Sequence, residues 1–212
     1  MRLKHLLFLF ALGLLAYACN SGAATEEAKD KTEETTEQEA SGEEASEATA
    51  SETAYEITVL DDTKPSPRKE MKGTIGDGAV SVNYGSPKMK GRTIFGELVP
   101  WGKVWRSGAN EASRVTFEND VMVEGQALAA GTYAFFLIPQ EEGAWTVIFN
   151  KEAEQWGAYE YKEAEDALRV EVSPVDPEPE ASAEEMDFTM DAGKLQLHWD
   201  KTVVPVAVTA AS

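Results

Sequence analysis

"GTYAFFLIPQEEGAWTVIFN", Gly131 to Asn150, decides how this chain folds. Two runs dense in β-branched and aromatic residues flank a polar break, Gln140 to Gly143, closed by glycine. Such runs suit strands buried on both faces in the middle of a sheet, and the break suits a turn between antiparallel neighbours.

Working outward, the dominant period is two. Val80, Val82 and Tyr84 alternate, as do Val115 with Phe117, Val121 with Val123, Leu168 with Val170 and Val172, Met186 with Phe188 and Met190, and Leu195 with Leu197 and Trp199. Alternation over a few residues is the signature of a half-buried strand. Turn formers punctuate it at Gly76-Asp77-Gly78, Glu118-Asn119-Asp120, Glu124-Gly125-Gln126 and Asp191-Ala192-Gly193. About nine or ten short antiparallel strands are expected. They can hide both faces only as a sandwich or a closed barrel. An all-β antiparallel sandwich is the first choice, with jelly-roll and immunoglobulin-like topologies both open.

Three stretches depart from the pattern. "KEAEQWGAYEYKEAED", Lys151 to Asp166, places Ala153, Trp156, Tyr159 and Ala164 near one helical face, although Gly157 weakens a helix there. "SPVDPEPEASAEE", from Ser173, is acidic and proline-rich and reads as an exposed connection without a ladder. Between Tyr84 and Ser113 lie about 28 residues without strand periodicity, against a usual connection of roughly 4 to 6. "RTIFGELV", Arg92 to Val99, is the best place in it for a short strand or helical turn.

The first residues read as an export signal. Arg2 and Lys4 precede an apolar run from Leu6 to Leu15, and Ala16-Tyr17-Ala18 supplies small residues for cleavage. The run is too short for a comfortable membrane span. Cys19, the one cysteine of the chain, follows at once; it cannot form an internal disulfide. This junction resembles the lipobox of bacterial lipoproteins, with Ala16 where Leu or Val is usual. The resemblance implies cleavage after residue 18 and a lipid on Cys19; ordinary signal-peptidase cleavage is the alternative. Asn20 to Ala54 contains no large apolar residue and carries eleven acids against Lys29 and Lys31, a net charge of −9. Residues 19–54 thus read as a lipidated cysteine followed by a disordered, self-repelling tether. Residues 55–212 form one domain. The expected location is the cell envelope, anchored in the outer membrane and facing the periplasm or the surface.

The domain keeps a charge of −12 out of the total of −19, which disfavours nucleic acid as a partner. Any local basic patch would come from Lys88, Lys90, Arg92, Lys103, Arg106 and Arg114. Metal chemistry and cofactors are not expected: His5 leaves with the signal, and His198 is a lone strand histidine. Ser107-Gly108 lacks the context of a nucleophile elbow. "GSPKMKGRT" has the wrong spacing for a phosphate loop, and "GTIGDG" is no dinucleotide fingerprint.

"VPWGKVWRSGANEASRV", Val99 to Val115, carries the chemistry worth weighing. In the reading adopted here it anchors the long loop. Trp101 and Trp105 bury their rings, and Gly102 and Gly108 permit left-handed or close-packed backbone. Arg106 meets an aromatic ring or a carboxylate such as Glu111, and Asn110 caps a turn. In the alternative, Trp101, Trp105, Trp156 and Tyr159 line a cleft in which Arg106, Asn110 and Glu111 orient a sugar or peptide. A third arrangement, Glu97 with Glu111 as a carboxylate pair, would make the protein a carbohydrate-active hydrolase. A binding or structural module is preferred over an enzyme.

The same region resembles a known family. "NYGSPKMKGRTIFGELVPWGKVWRSGANEASRVTF", followed by "GTYAFFLIP", "WTVIFN" and "QWG", is similar to the bacterial domain of unknown function family 2911 from about Gly73 to Val208. The resemblance implies a compact exported or lipoprotein domain and carries no catalytic residue. Ser86 stands where relatives often have an arginine.

Overall fold

A computed structural model describes residues 55–176 and 182–211. The expected signal, Cys19 and the acidic tether lie outside the described residues. Twelve strands follow in order: β1 (Glu56–Asp61), β2 (Arg68–Ile75), β3 (Gly78–Gly85), β4 (Ser113–Phe117), β5 (Val121–Val123), β6 (Gln126–Leu128), β7 (Gly131–Ile138), β8 (Trp145–Asn150), β9 (Asp166–Val172), β10 (Ala183–Asp191), β11 (Lys194–Asp200) and β12 (Thr202–Ala210). They form two antiparallel sheets packed as a sandwich, one ordered β1-β2-β3-β4-β7-β8-β9 and the other β10-β11-β12-β5-β6.

Twelve strands exceed the nine or ten expected because some carry little alternation. On β2, "RKEMKGTI" buries only Met71 and Ile75 among charged and small neighbours. Strand β6 is three residues long and sits where a turn signal dominates. The segment from Ser173 is also more ordered than its prolines suggest. Val175 exchanges backbone hydrogen bonds of 2.8 Å with Val203, and Ala183–Glu185 opens β10; residues 177–181 lie outside the described residues.

The main core lies between the sheets. Val82, Val115, Phe117, Phe135, Leu137 and Phe149 from the larger sheet meet Phe188, Leu197, Trp199, Val204 and Val206 from the smaller one. β7 and β8 are interior strands whose second face is buried as well. There Ala134, Phe136 and Ile148 join Ala112 in a small outer cluster, packed by Val104, Ala158 and Tyr161. The double burial explains why these two strands read as continuous apolar runs. It also requires that a covering layer lie on the outer face. The long β3–β4 connection and the segment after β8 supply that layer.

The segment Lys151–Asp166 folds mostly as turns, with one 3-10 turn at Glu163–Glu165. Gly157, at φ 67°, takes a left-handed conformation that ends any helical run.

Polar groups tie the sheets at one margin. Lys69 Nζ on β2 lies 2.7 Å from Asp187 Oδ1 and 3.0 Å from Glu185 Oε1 on β10, and the Tyr84 hydroxyl donates to Asp187 at 2.9 Å. Burial and the neighbouring Asp187 push the Tyr84 phenol far up, so it stays a neutral donor. For Glu185, burial opposes ionisation, but hydrogen bonds from Lys69 and Ser86, with the nearby Lys69 charge, outweigh it and hold the carboxyl below its ordinary value of 4.5. A depressed carboxylate pKa contributes stability that is present above the unfolded value and lost as pH falls through the lower folded value. The urea midpoint of the wild type is therefore expected to fall more steeply below pH 4.5 than that of Glu185→Gln. Parallel acid limbs for the two proteins would contradict this assignment.

Candidate functional site

The β3–β4 connection, Ser86 to Ala112, is held to the body by backbone hydrogen bonds along its length. Ser86 N–H donates to Pro67 O at 2.8 Å, Met89 N–H to Glu184 O at 2.8 Å, and Ala109 N–H to Gly85 O at 3.2 Å. Trp105 pairs with Leu137 in both directions, at 2.7 and 2.9 Å. The Ser86 hydroxyl, fully buried, lies 2.6 Å from Met186 O and 3.0 Å from Glu185 Oε1. "RTIFGELV" is a turn closed by a Phe95–Val99 bridge rather than a paired strand.

Aromatic rings complete the anchorage. Trp105 is 8% exposed, stacks on Trp199 at 5.9 Å, and meets Phe95 edge-on at 5.9 Å. Trp101 stacks on Phe95 at 6.2 Å and faces Trp145. Gly102 has φ 66°, and Gly108 packs where a Cβ would meet Gly85 O and Ser113 Oγ at 2.9 Å. Asn110 is itself left-handed at φ 64°, and its carbonyl accepts from Gly157 N–H at 3.1 Å.

Of the two partners offered for Arg106, an aromatic ring or a carboxylate such as Glu111, the Glu111 contact does not form. Arg106 Nε is buried without a hydrogen-bond partner, and Arg106 borders a small cleft of about 290 Å³ with Lys103, Trp105 and Tyr159. Glu111 instead faces Arg68 Nη1 and Lys64 Nζ, each at 3.6 Å. The reason is direction: Arg106 follows the buried Trp105 toward the outer layer, whereas Glu111 bridges Trp156 on the other side of the connection.

Glu111 opens onto a cleft of about 430 Å³. Its walls are the Asp61–Arg68 segment, the end of the long connection at Asn110–Ala112, Arg114 on β4, and Ala153–Trp156 after β8. Two backbone hydrogen bonds join the floor: Ala112 N–H donates to Gln155 O at 3.0 Å and Gly157 N–H to Asn110 O at 3.1 Å. Trp156 is 56% exposed, and Lys64 Nζ stands 5.9 Å from its ring centroid.

Polar groups here are incompletely satisfied. Arg68 Nε donates to Asn83 Oδ1 and Nη2 reaches the Asn83 carbonyl at 3.3 Å, yet Nη1 is buried with no hydrogen bond. At 3.6 Å the Glu111 carboxylate is an ion-pair partner beyond hydrogen-bond length. Gln155, 8% exposed, donates to Glu152 O at 2.6 Å while its buried Oε1 accepts nothing. Arg114 Nη1 donates to Glu154 at 2.9 Å, a carboxylate whose side chain is largely exposed. Burial lowers the Arg68 pKa, an effect Glu111 offsets and Arg114 reinforces. The Glu111 carboxyl lies below its ordinary range chiefly through its own backbone N–H; burial opposes this, and Arg68 and Lys64 add to it.

The residues read from the sequence are thus divided among three places. Asn110, Glu111 and Trp156 line the large cleft; Trp105, Arg106 and Tyr159 border the small one; Trp101 packs in the aromatic cluster. Glu97 is exposed on the Phe95–Val99 turn and is not among the residues lining the Glu111 cleft. The basic residues are divided too: Lys88, Lys90 and Arg92 lie together, apart from Lys103 with Arg106 and from Arg114. Sequence reading missed Lys64, Arg68 and Gln155. "TKPSPRK", Thr63 to Lys69, is a proline-broken basic word in an acidic chain, and that local charge reversal was the available signal. For Gln155 the available signal was its place in the "QWG" word on which the family resemblance rests. Among the described residues, no group of three or more His, Cys, Asp or Glu side chains is placed to hold a metal ion.

Residues 66–208 match the family described as "Protein of unknown function (DUF2911)". No curated protein and no solved structure matches the chain.

Proposed function

The chain belongs to the DUF2911 family, and on that premise we propose that it is an envelope lipoprotein, lipidated on Cys19 and anchored in the outer membrane, whose sandwich domain is a binding module for a glycan or peptide. The observation that supports this is the cleft of about 430 Å³. A half-exposed indole, Trp156, stands in it beside a buried amide and a part-buried guanidinium that each keep one polar atom unpaired. Concave sites with an aromatic face and a few polar groups of this kind orient small hydrophilic ligands. Unpaired buried polar atoms cost stability.

The test is a thermal-shift titration of the wild type and Trp156→Ala with a panel of oligosaccharides and short peptides. Because the Trp156 side chain is exposed, its removal is expected to leave the fold intact. A ligand at about 100 times its Kd stabilises by about 2.7 kcal/mol, raising Tm by roughly 5–10 °C. That rise is expected in the wild type and absent in Trp156→Ala. A panel-wide lack of response from folded wild type would contradict the binding role. Lipidation is checked by mass spectrometry of the processed N-terminus, with Cys19→Ser expected to lose the lipid.

The hydrolase reading has less support. The Glu111 carboxylate is engaged by two cations, and Glu97, its required partner, does not line the same cleft.

A further inference from the structure

Resting on the binding reading above, we infer that the Trp156 cleft takes a saccharide bearing a carboxylate, and that Glu111 holds the place of that carboxylate in the unliganded protein.

The argument begins with Arg68. Two of its guanidinium nitrogens are spent on Asn83, which orients the fork, and the third, Nη1, has no hydrogen bond. A fork held this way is preorganised for a carboxylate. Glu111 supplies the compensating charge but stands at 3.6 Å with its side chain 42% exposed, so it shields the guanidinium without bonding it. A ligand carboxylate entering as Glu111 swings into solvent would gain the hydrogen bond that Glu111 does not make. Arg114 and Lys64 flank the position, and their partners Glu154 and Glu111 are largely or partly exposed side chains, able to yield.

Neutral parts of the ligand are specified by the remaining walls. Gln155 lines the same wall with its amide nitrogen fixed on Glu152 O at 2.6 Å, which keeps that wall polar. The exposed indole of Trp156 offers a flat apolar face to a pyranose ring.

A peptide fits less well. The backbones of the two walls are already bonded to each other through Ala112, Gln155, Gly157 and Asn110, leaving no free strand edge there for augmentation. Apart from the indole, the apolar lining is Ala112 and Ala153. The three cations are balanced by Asp61, Glu111 and Glu154 in a domain of high negative charge. The site therefore reads one carboxylate on a short or terminal sugar rather than a long polyanion, which the surrounding field would repel.

The experiment measures binding of the full chain to uronate-containing oligosaccharides, to the same compounds after carboxyl reduction, and to peptides as free acids and C-terminal amides. Wild type is expected to bind acidic saccharides and to lose them on reduction or in Trp156→Ala. Glu111→Gln removes the internal competitor and is expected to bind them roughly two- to tenfold more tightly. Arg68→Gln is expected to abolish the preference for the acid form; should it fail to fold, Glu111→Gln carries the test alone. Equal binding of reduced and acidic forms, unchanged affinity in Glu111→Gln, or binding of peptide acids alone would each overturn the inference while leaving a binding module. Absence of binding by every probe would overturn both.

Discussion

Replacing Trp105 by alanine is expected to destabilise the domain by about 3–5 kcal/mol and to lower Tm by roughly 10 °C. The indole is 8% exposed, stacked on Trp199 at 5.9 Å and set edge-on against Phe95 at 5.9 Å. Its backbone pairs with Leu137 in both directions. Removing the ring leaves a void that β7 and β11 cannot close, because Leu137 and Trp199 are fixed by their own ladders. Aromatic pairs add about 0.5–1.5 kcal/mol beyond their buried area, so Trp105→Phe is expected to recover only part of the loss. Urea unfolding followed by fluorescence and circular dichroism measures it. A cost below about 1 kcal/mol would mean that the long connection is held by its backbone alone.

Gly85→Ala is expected to be as damaging for a different reason. A Cβ at Gly85 would stand 2.2 Å from the Ala109 carbonyl oxygen and 2.9 Å from its carbon. The obstacle is backbone, and Ala109 is bonded back to Gly85 O at 3.2 Å, so no side-chain rotation relieves the clash. The strand end and the connection must part there, breaking that bond. The expected cost is at or above the upper end of the roughly 1–3 kcal/mol of overpacked sites. Gly102→Ala is the control. At φ 66° with nothing within 4 Å of its Cβ, it pays only the left-handed backbone penalty of about 1–2 kcal/mol. Equal unfolding midpoints for the two variants would show that the close approach at Gly85 is not a constraint.

Both sites anchor a connection whose importance was legible before its geometry. Tryptophan, arginine and glycine crowd Val99–Val115, and residue type alone indicates that large rings seek burial and that tight backbone needs glycine. Which arginine meets which carboxylate was not legible. Arg106 and Glu111 are close in sequence, but the chain reverses between them, through left-handed Ser107 and Asn110 at φ 52° and 64°, and sends them to different clefts. The true partners of Glu111 are distant in sequence: Lys64, in the proline-broken turn before β2, and Arg68, the first residue of β2.

The sequence by itself carried the all-β class, the sandwich as first choice over a barrel, and the family, because these depend on local periods and ordered words that survive without knowledge of neighbours. β7 and β8 show this most clearly, since burial on two faces writes itself as an unbroken apolar run. The tertiary structure alone decided the site. Arg68 Nη1 and Gln155 Oε1 become unpaired, and Trp156 becomes the face of a cleft, only when three separate segments converge on the outer side of the larger sheet. Such convergence depends on sheet order and on the path of long connections. These are set by the packing of distant elements, for which no local pattern in the chain is a proxy.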